Sequence, residues 1–176
     1  MAKNRKLIFV AFFFILCSAK INTINHDKPG WMRMTDLKGK LKSEAKPVMI
    51  DLYTNWCYWC KVMDKTTYTN SKVISYINSH FYPVKLNAED QEVVQWNDKD
   101  YNFNDSFKVN DFAMYVTSGQ PAFPTTVIFT DAHSEPVAVQ GFLTTKEMEP
   151  ILKYFGEGAY KKQDFTEFKQ GFKSTW

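Results

Sequence analysis

Residues 48–63, VMIDLYTNWCYWCKVM, carry a short, nearly continuous apolar run straight into two cysteines three positions apart, Cys57 and Cys60. A run of this kind is the pattern of a strand buried on both faces within a parallel sheet. Helix periodicity takes over through Trp59, Val62 and Met63, which predicts a helix from about residue 58 to residue 68. The pair therefore sits where a strand gives way to a helix. A helix N-terminus presents unpaired N–H groups and a partial positive charge, and that field favours thiolate, the reactive form of cysteine. Cys57 is expected to be the attacking sulfur. Cys60, one turn on and deeper, is expected to resolve the mixed disulfide that forms at Cys57.

Metal binding and a structural staple are the competing uses of such a pair. A structural zinc site wants four soft or imidazole ligands, commonly as a second pair at comparable spacing. No second pair exists here, and His26, His80 and His133 fall in a linker, a helix end and a turn, so no metal is expected. A permanently closed structural disulfide would span so small a loop that it constrains the unfolded chain little. The redox-active reading is preferred, with no cofactor beyond the disulfide itself.

The N-terminal residues are of a different character. Lys3, Arg5 and Lys6 precede the apolar run Leu7–Leu16 and then Cys17-Ser18-Ala19. That order reads as a secretory signal over residues 1–19, because the apolar run is too short to span a bilayer. Cys17 offers an alternative, a lipid anchor, but large Leu16 stands where a lipoprotein signal wants a small residue. Loss of the leader would leave Cys57 and Cys60 as the only cysteines, in a periplasmic or other extracytoplasmic and oxidising compartment.

Beyond a polar linker over residues 20–30, the chain has the length for one domain: 176 residues, 44% of them hydrophobic. Its formal charge of +3 comes from 22 basic and 19 acidic residues without a long basic stripe, so nucleic acid is not an expected partner. Trp31, Met34, Leu37 and Leu41 recur at helical spacing between residues 31 and 45. A second helix is expected over SKVISYINSH, a strand over FYPVKLNAED, and a hairpin over residues 125–142 with its turn at Asp131–Glu135. A helix follows from about residue 145 to 154, opened by Thr144 or Thr145 with Glu147 near its start. Residues 89–122 read as an insertion around the site, with a helix or two that includes DSFKVNDFAMYV. The tail, residues 156–176, has aromatic residues enough for one docked helix. The element order implies a mixed sheet with helices on both faces.

Four separated marks resemble the thioredoxin superfamily across residues 31–155. VMIDLYTNWCYWCK is similar to the family's strand and Trp-Cys-x-x-Cys-Lys segment, and Asp51 falls where thioredoxins carry a buried acid. PVKLNAED puts Lys85 at the lysine that lies near that acid. AFPTTVIF places Pro124 at the family's cis-proline, and Gly141 sits at a family glycine. The resemblance implies a three-layer α/β/α thioredoxin-like fold. It is nearest to exported thioredoxin-like proteins and to the periplasmic thioredoxin-like domain of membrane thiol-transfer reductases. Tyr58-Trp59 departs from the Gly-Pro of ordinary thioredoxins and from the Pro-His of strong thiol oxidants.

Physical reasoning adds roles to these positions. Asp51, charged within an apolar strand, should have a raised pKa and could carry the proton that Cys60 exchanges. Lys85 would tune that acid, or else be a solvated strand lysine. A cis Pro124 after Phe123 would bare backbone groups to an extended substrate, whereas an ordinary trans proline would not. Trp56 and Trp59 would form an apolar rim for clients, with core packing as the other use of Trp56. The expected function is an exported thiol–disulfide oxidoreductase acting as a monomer on client proteins, more as reductant or electron relay than as oxidant. A membrane thiol reductase would be its donor. The alternative is a thioredoxin-like binding or chaperone module with a non-catalytic cysteine pair.

Overall fold

A computed structural model of the chain describes residues 27–41 and 46–176. The expected signal segment, Cys17 and most of the linker lie outside the described residues. The sheet at the centre has four strands: β1 (Val48–Tyr53), β2 (Tyr82–Asn87), β7 (Thr125–Phe129) and β8 (Val137–Gln140), in the spatial order β2-β1-β7-β8. β1 runs parallel to β2 and antiparallel to β7, and β7 and β8 form the expected hairpin. Between β1 and β2 come α2 (Tyr58–Thr66) and α3 (Ser71–His80), a crossover of the kind a parallel pair requires. Pro83 is accommodated because β2 is an outer strand, where a missing N–H does not break a ladder on both sides.

Strand alternation divides the core into two layers. Val48, Ile50, Leu52, Val84, Leu86, Val127 and Phe129 face a cluster that includes Leu37 of α1 (Met34–Leu41) and Phe112 and Val116 of α4 (Asp111–Val116). Met49 and Ile128 face the opposite cluster. There Met63 of α2, Val73 and Ile77 of α3, and Met148, Ile151 and Leu152 of α5 (Thr145–Gly156) pack. This is the three-layer α/β/α arrangement, a thioredoxin-like fold. α5 begins at Thr144 with a reciprocal cap: the Thr144 side chain accepts from Glu147 N–H, and the Glu147 carboxylate accepts from Thr144 N–H.

Three expectations are corrected. The first helix begins at Met34, because Trp31 and Met32 serve the sheet instead. Met32 N–H donates to Pro83 O at 2.9 Å and Met32 O accepts from Lys85 N–H at 3.2 Å, while the Trp31 ring meets Tyr68 edge-on at 4.9 Å. Secondly, residues 89–122 hold one helix, within the expected one or two, but α4 covers only the second half of DSFKVNDFAMYV. The rest forms two small hairpins, β3 (Val94–Trp96) with β4 (Lys99–Tyr101) and β5 (Phe103–Asn104) with β6 (Val109–Asn110). Asn97 and Asp98 both adopt positive φ, 50° and 57°, which makes the tight turn that alternation at Val94, Trp96 and Tyr101 then extends. Asn104 caps the next turn through its side chain, accepting from Ser106 and Phe107 N–H, and this takes residues 104–110 out of the helix expected there.

The third correction concerns the tail, which does more than dock one helix. A 3-10 turn at Ala159–Lys161 and α6 (Phe165–Gly171) pack their aromatic rings around Tyr154, and the chain then returns to fold Ser174, Thr175 and Trp176 over Glu149. Glu149 is fully buried in α5, yet it is saturated with donors: Ser174 Oγ, Thr175 N–H and Oγ1, Trp176 N–H and Lys153 Nζ. Trp176 in turn lies against Tyr76 of α3, 5.5 Å between ring centres.

Candidate active site

Cys57 and Cys60 are joined by a disulfide, with an S–S distance of 2.06 Å. Cys57 is the N-cap of α2, and its sulfur accepts a hydrogen bond from Cys60 N–H at 3.0 Å. One of the orphan donors of the helix start is thus aimed at the first sulfur, as a strand-to-helix junction dictates. No acidic residue occupies the first turn of α2 to oppose that field. Exposure does not separate the two cysteines: each is 4% exposed, so Cys60 is no deeper than Cys57 by this measure. What distinguishes them is the N–H on the Cys57 sulfur.

Asp51 lies in the middle of β1, 2% exposed, on the sheet face that meets α2. Lys85, its register partner on β2, donates from Nζ to Asp51 Oδ2 at 2.7 Å and also to the carboxylate of Asp64 on α2. Burial raises the Asp51 pKa above its ordinary value, and the Lys85 ammonium only partly offsets that. Burial also works against the charge on Lys85, but Asp51 and Asp64 outweigh it and leave the Lys85 pKa raised. The ammonium is further boxed by the rings of Tyr53, Trp31 and Tyr68, at 4.9, 5.5 and 5.9 Å from their centres. Lys85 is therefore no solvated strand lysine. Removing it would leave Asp51 buried without its counter-charge.

Around the disulfide the surface is aromatic. Trp56 is 67% exposed, Tyr58 69% and Trp59 54%. Trp56 is nonetheless fixed, donating from Nε1 to Glu89 at 2.8 Å and meeting Phe123 edge-on at 6.1 Å. Trp59 leans on Tyr58 and on Phe142. The core-packing use of Trp56 is excluded by its exposure. The Phe123–Pro124 peptide bond is cis. Pro124 O accepts from Gly141 N–H at 2.8 Å, and Gly141 holds φ at +101°, a conformation that an L side chain resists. Among the described residues nothing hydrogen-bonds to the Phe123 backbone. Two clefts, one lined by Met34, Leu37 and Trp96 and the other by Pro47, Phe155 and Tyr160, lie at the opposite end of the sheet and have no part in this site. No group of residues suited to hold a metal ion occurs among the described residues.

A family model described as a thioredoxin-like domain matches residues 36–156. The chain belongs to the thioredoxin-like family. It is 23% identical over 118 residues to the "Thiol:disulfide interchange protein DsbD" of Campylobacter jejuni strain RM1221, a match that covers 65% of this chain and 18% of that protein. The chain thus spans about a fifth of the length of that curated relative. Among solved structures, a thioredoxin-fold protein from Helicobacter pylori superimposes with a TM-score of 0.56 at 16% identity, over 72% of this chain and 79% of that one. A "DsbH Oxidoreductase" does so with a TM-score of 0.53 at 14% identity, over 88% and 95%. At such identities the structures speak for the fold alone. A thioredoxin-like domain with a paired Cys-x-x-Cys at its helix start supports thiol–disulfide oxidoreductase chemistry in general.

Sequence reasoning named Cys57, Cys60, Asp51, Lys85, Trp56, Trp59, Phe123 and Pro124; the fold sets the cysteines, Trp56, Trp59, Phe123 and Pro124 at one end of the sheet, with Asp51 and Lys85 paired inside β1 and β2. That reasoning did not name Asp64, Glu89 or Phe142, and it gave Tyr58 no part in the rim. Asp64 had a signal: it stands four residues after Cys60, one turn along the same helix face. Glu89 and Phe142 come from distant segments, and no local spacing ties them to the two tryptophans they hold.

Proposed function

We propose that this protein is an exported thiol–disulfide oxidoreductase that works on client proteins as a reductant or electron relay. The observation that carries the reading is the Cys57–Cys60 disulfide at the start of α2, with Cys60 N–H on the Cys57 sulfur. In the reduced protein the Cys57 thiolate attacks one sulfur of a client disulfide. The Cys57–client bond forms, the client's own S–S bond breaks, and the released client sulfur takes up a proton. Cys60 then gives its proton to Asp51 and attacks the Cys57 sulfur, which closes the internal disulfide and releases the second client sulfur as a thiolate that takes up a proton from solvent. The client gains two electrons and the pair loses two. A dithiol donor at the membrane must reopen the pair, because an oxidising compartment supplies no free thiol pool.

Asp51 is the proton carrier in this scheme and Lys85 sets its charge balance, with Asp64 sharing the ammonium. Trp56, Trp59 and Phe123 offer apolar contact to the client, and the free backbone of Phe123 beside Pro124 offers strand-like pairing to an extended segment. Similarity to a thiol:disulfide interchange protein supports the relay role. The test is a disulfide-reduction assay on a generic protein substrate with the parent, Cys57→Ser and Cys60→Ser. Turnover in the parent that is lost in both variants supports the enzyme. Equal behaviour of all three would favour a binding module with a non-catalytic pair.

A further inference from the structure

Tyr68 is a buried titratable group beside the Asp51–Lys85 pair that the scheme above does not use. It follows α2, is 1% exposed, and its ring packs edge-on against Trp31 at 4.9 Å with the Lys85 ammonium over its face. A phenylalanine ring would make all of those contacts. The hydroxyl is what needs explaining, because a buried tyrosine oxygen normally has a partner, and a buried polar atom without one costs roughly 1–3 kcal/mol. Among the described residues the Tyr68 hydroxyl has no hydrogen bond, and neither does the hydroxyl of Thr126, which is fully buried. Thr126 is the cross-strand register partner of Asp51 on β7. Hydroxyls from the α2–α3 turn and from β7 thus converge on the strand position that holds Asp51, and the Tyr68 hydroxyl stands near enough to the Asp51 carboxylate and the Thr126 hydroxyl for a weak hydrogen-bonding interaction with each, although it completes a bond of normal geometry with neither.

We propose that Tyr68 is a positioning residue for Asp51: its hydroxyl donates to the Asp51 carboxylate when that group is ionised and rests without that bond when it is protonated. The inference rests on the reading of Asp51 as proton carrier. When Cys60 passes its proton to Asp51, the carboxylate becomes a neutral acid and no longer holds the tyrosine O–H. When Asp51 releases that proton to solvent, the O–H closes on it again. Tyr68 keeps its own proton throughout, because burial first, and then the nearby Asp51 charge, push its pKa well above the ordinary tyrosine value. A bond made only to the ionised form favours that form, so Tyr68 opposes the effect of burial on Asp51. The other charged or titratable groups facing Asp51 are Lys85 from β2 and Asp64 from α2, with Tyr53 nearby on β1 itself. None of them is altered by removing one oxygen from Tyr68.

Tyr68→Phe tests this. The pH profile of the resolving step, measured by rapid mixing with a mixed disulfide on Cys57, should move upward by about one pH unit. The rate of the first attack by Cys57 should not change. The carbon-13 titration of the Asp51 carboxyl in the disulfide-closed protein should move in the same direction and needs no catalysis to be read. In an Asp51→Asn background the Tyr68→Phe change should add no further shift. A parent-like profile and carboxyl titration in Tyr68→Phe, with Asp51→Asn slow in resolution, would overturn this inference alone. Unchanged resolution in Asp51→Asn would overturn the proton-carrier reading and this inference with it.

Discussion

Glu149→Gln should cost the protein about 3 kcal/mol at neutral pH, although Glu149 lies in α5 and has no contact with the disulfide. Burial alone would raise the pKa of this carboxyl. Hydrogen bonds from Ser174, Lys153 and Thr175 outweigh burial and hold it at about 2, against an ordinary value of 4.5. That difference corresponds to about 3 kcal/mol of stability. The folded-state pKa is depressed, so this stability is fully present above about pH 4.5 and is lost as pH falls toward 2. Glutamine keeps the size but carries no charge, and it turns an NH2 toward a site filled with N–H and O–H donors. Urea unfolding of the disulfide-closed protein, followed by tryptophan fluorescence at a series of pH values, reads both quantities. The gap between parent and variant should be largest at neutral pH and narrow with acid until the curves meet. A variant within about 0.5 kcal/mol of the parent at neutral pH, the range of an ordinary surface change, would refute the clamp. So would a gap that does not narrow in acid.

Cys60→Ser should accumulate mixed disulfides with client proteins through Cys57, seen on non-reducing gels; adducts through Cys60 in Cys57→Ser, with none in Cys60→Ser, would reverse the assignment of attacker and resolver. Asp51 has a folded-state pKa above its ordinary 3.8, so its ionisation costs stability as pH rises from about that value toward the folded one. Asp51→Asn should therefore gain stability relative to the parent across that rise and gain none below it, as measured by the same unfolding curves. Lys85→Met removes the ammonium that offsets burial, so the Asp51 carboxyl titration should move further upward; an unchanged titration would deny Lys85 its tuning role. Intact mass of protein recovered from a cell envelope should lack the first 19 residues. Acylated Cys17 at the N-terminus would mean a lipid anchor, and a retained Met1 in the cytoplasm would end the export reading.

Much of this site was legible along the chain because its parts are local. An apolar strand running into Cys57, a helix starting beyond it and Asp51 six positions before are features of one 16-residue stretch, VMIDLYTNWCYWCKVM. Hydrophobic periodicity reports which face of an element is buried, so the strands, the hairpin and the capped α5 could be read without coordinates. Three-dimensional packing decided the rest. Lys85 is a half-buried ion-pair partner rather than a solvated lysine only because β2 lies beside β1 in the register that sets it against Asp51. Trp56 is a fixed surface ring because Glu89, 33 residues away, accepts its N–H. Trp31 lies outside the helix that its spacing suggested because Met32 bridges to β2 and the Trp31 ring packs on Tyr68, contacts that depend on segments distant in the chain. The tail closes over Glu149 by hydrogen bonds that span 25 residues or more. Local spacing encodes which residues share a strand or a helix face; which charge meets which, and which aromatic ring stays in water, depends on segments brought together by the sheet, and no spacing in the chain records that.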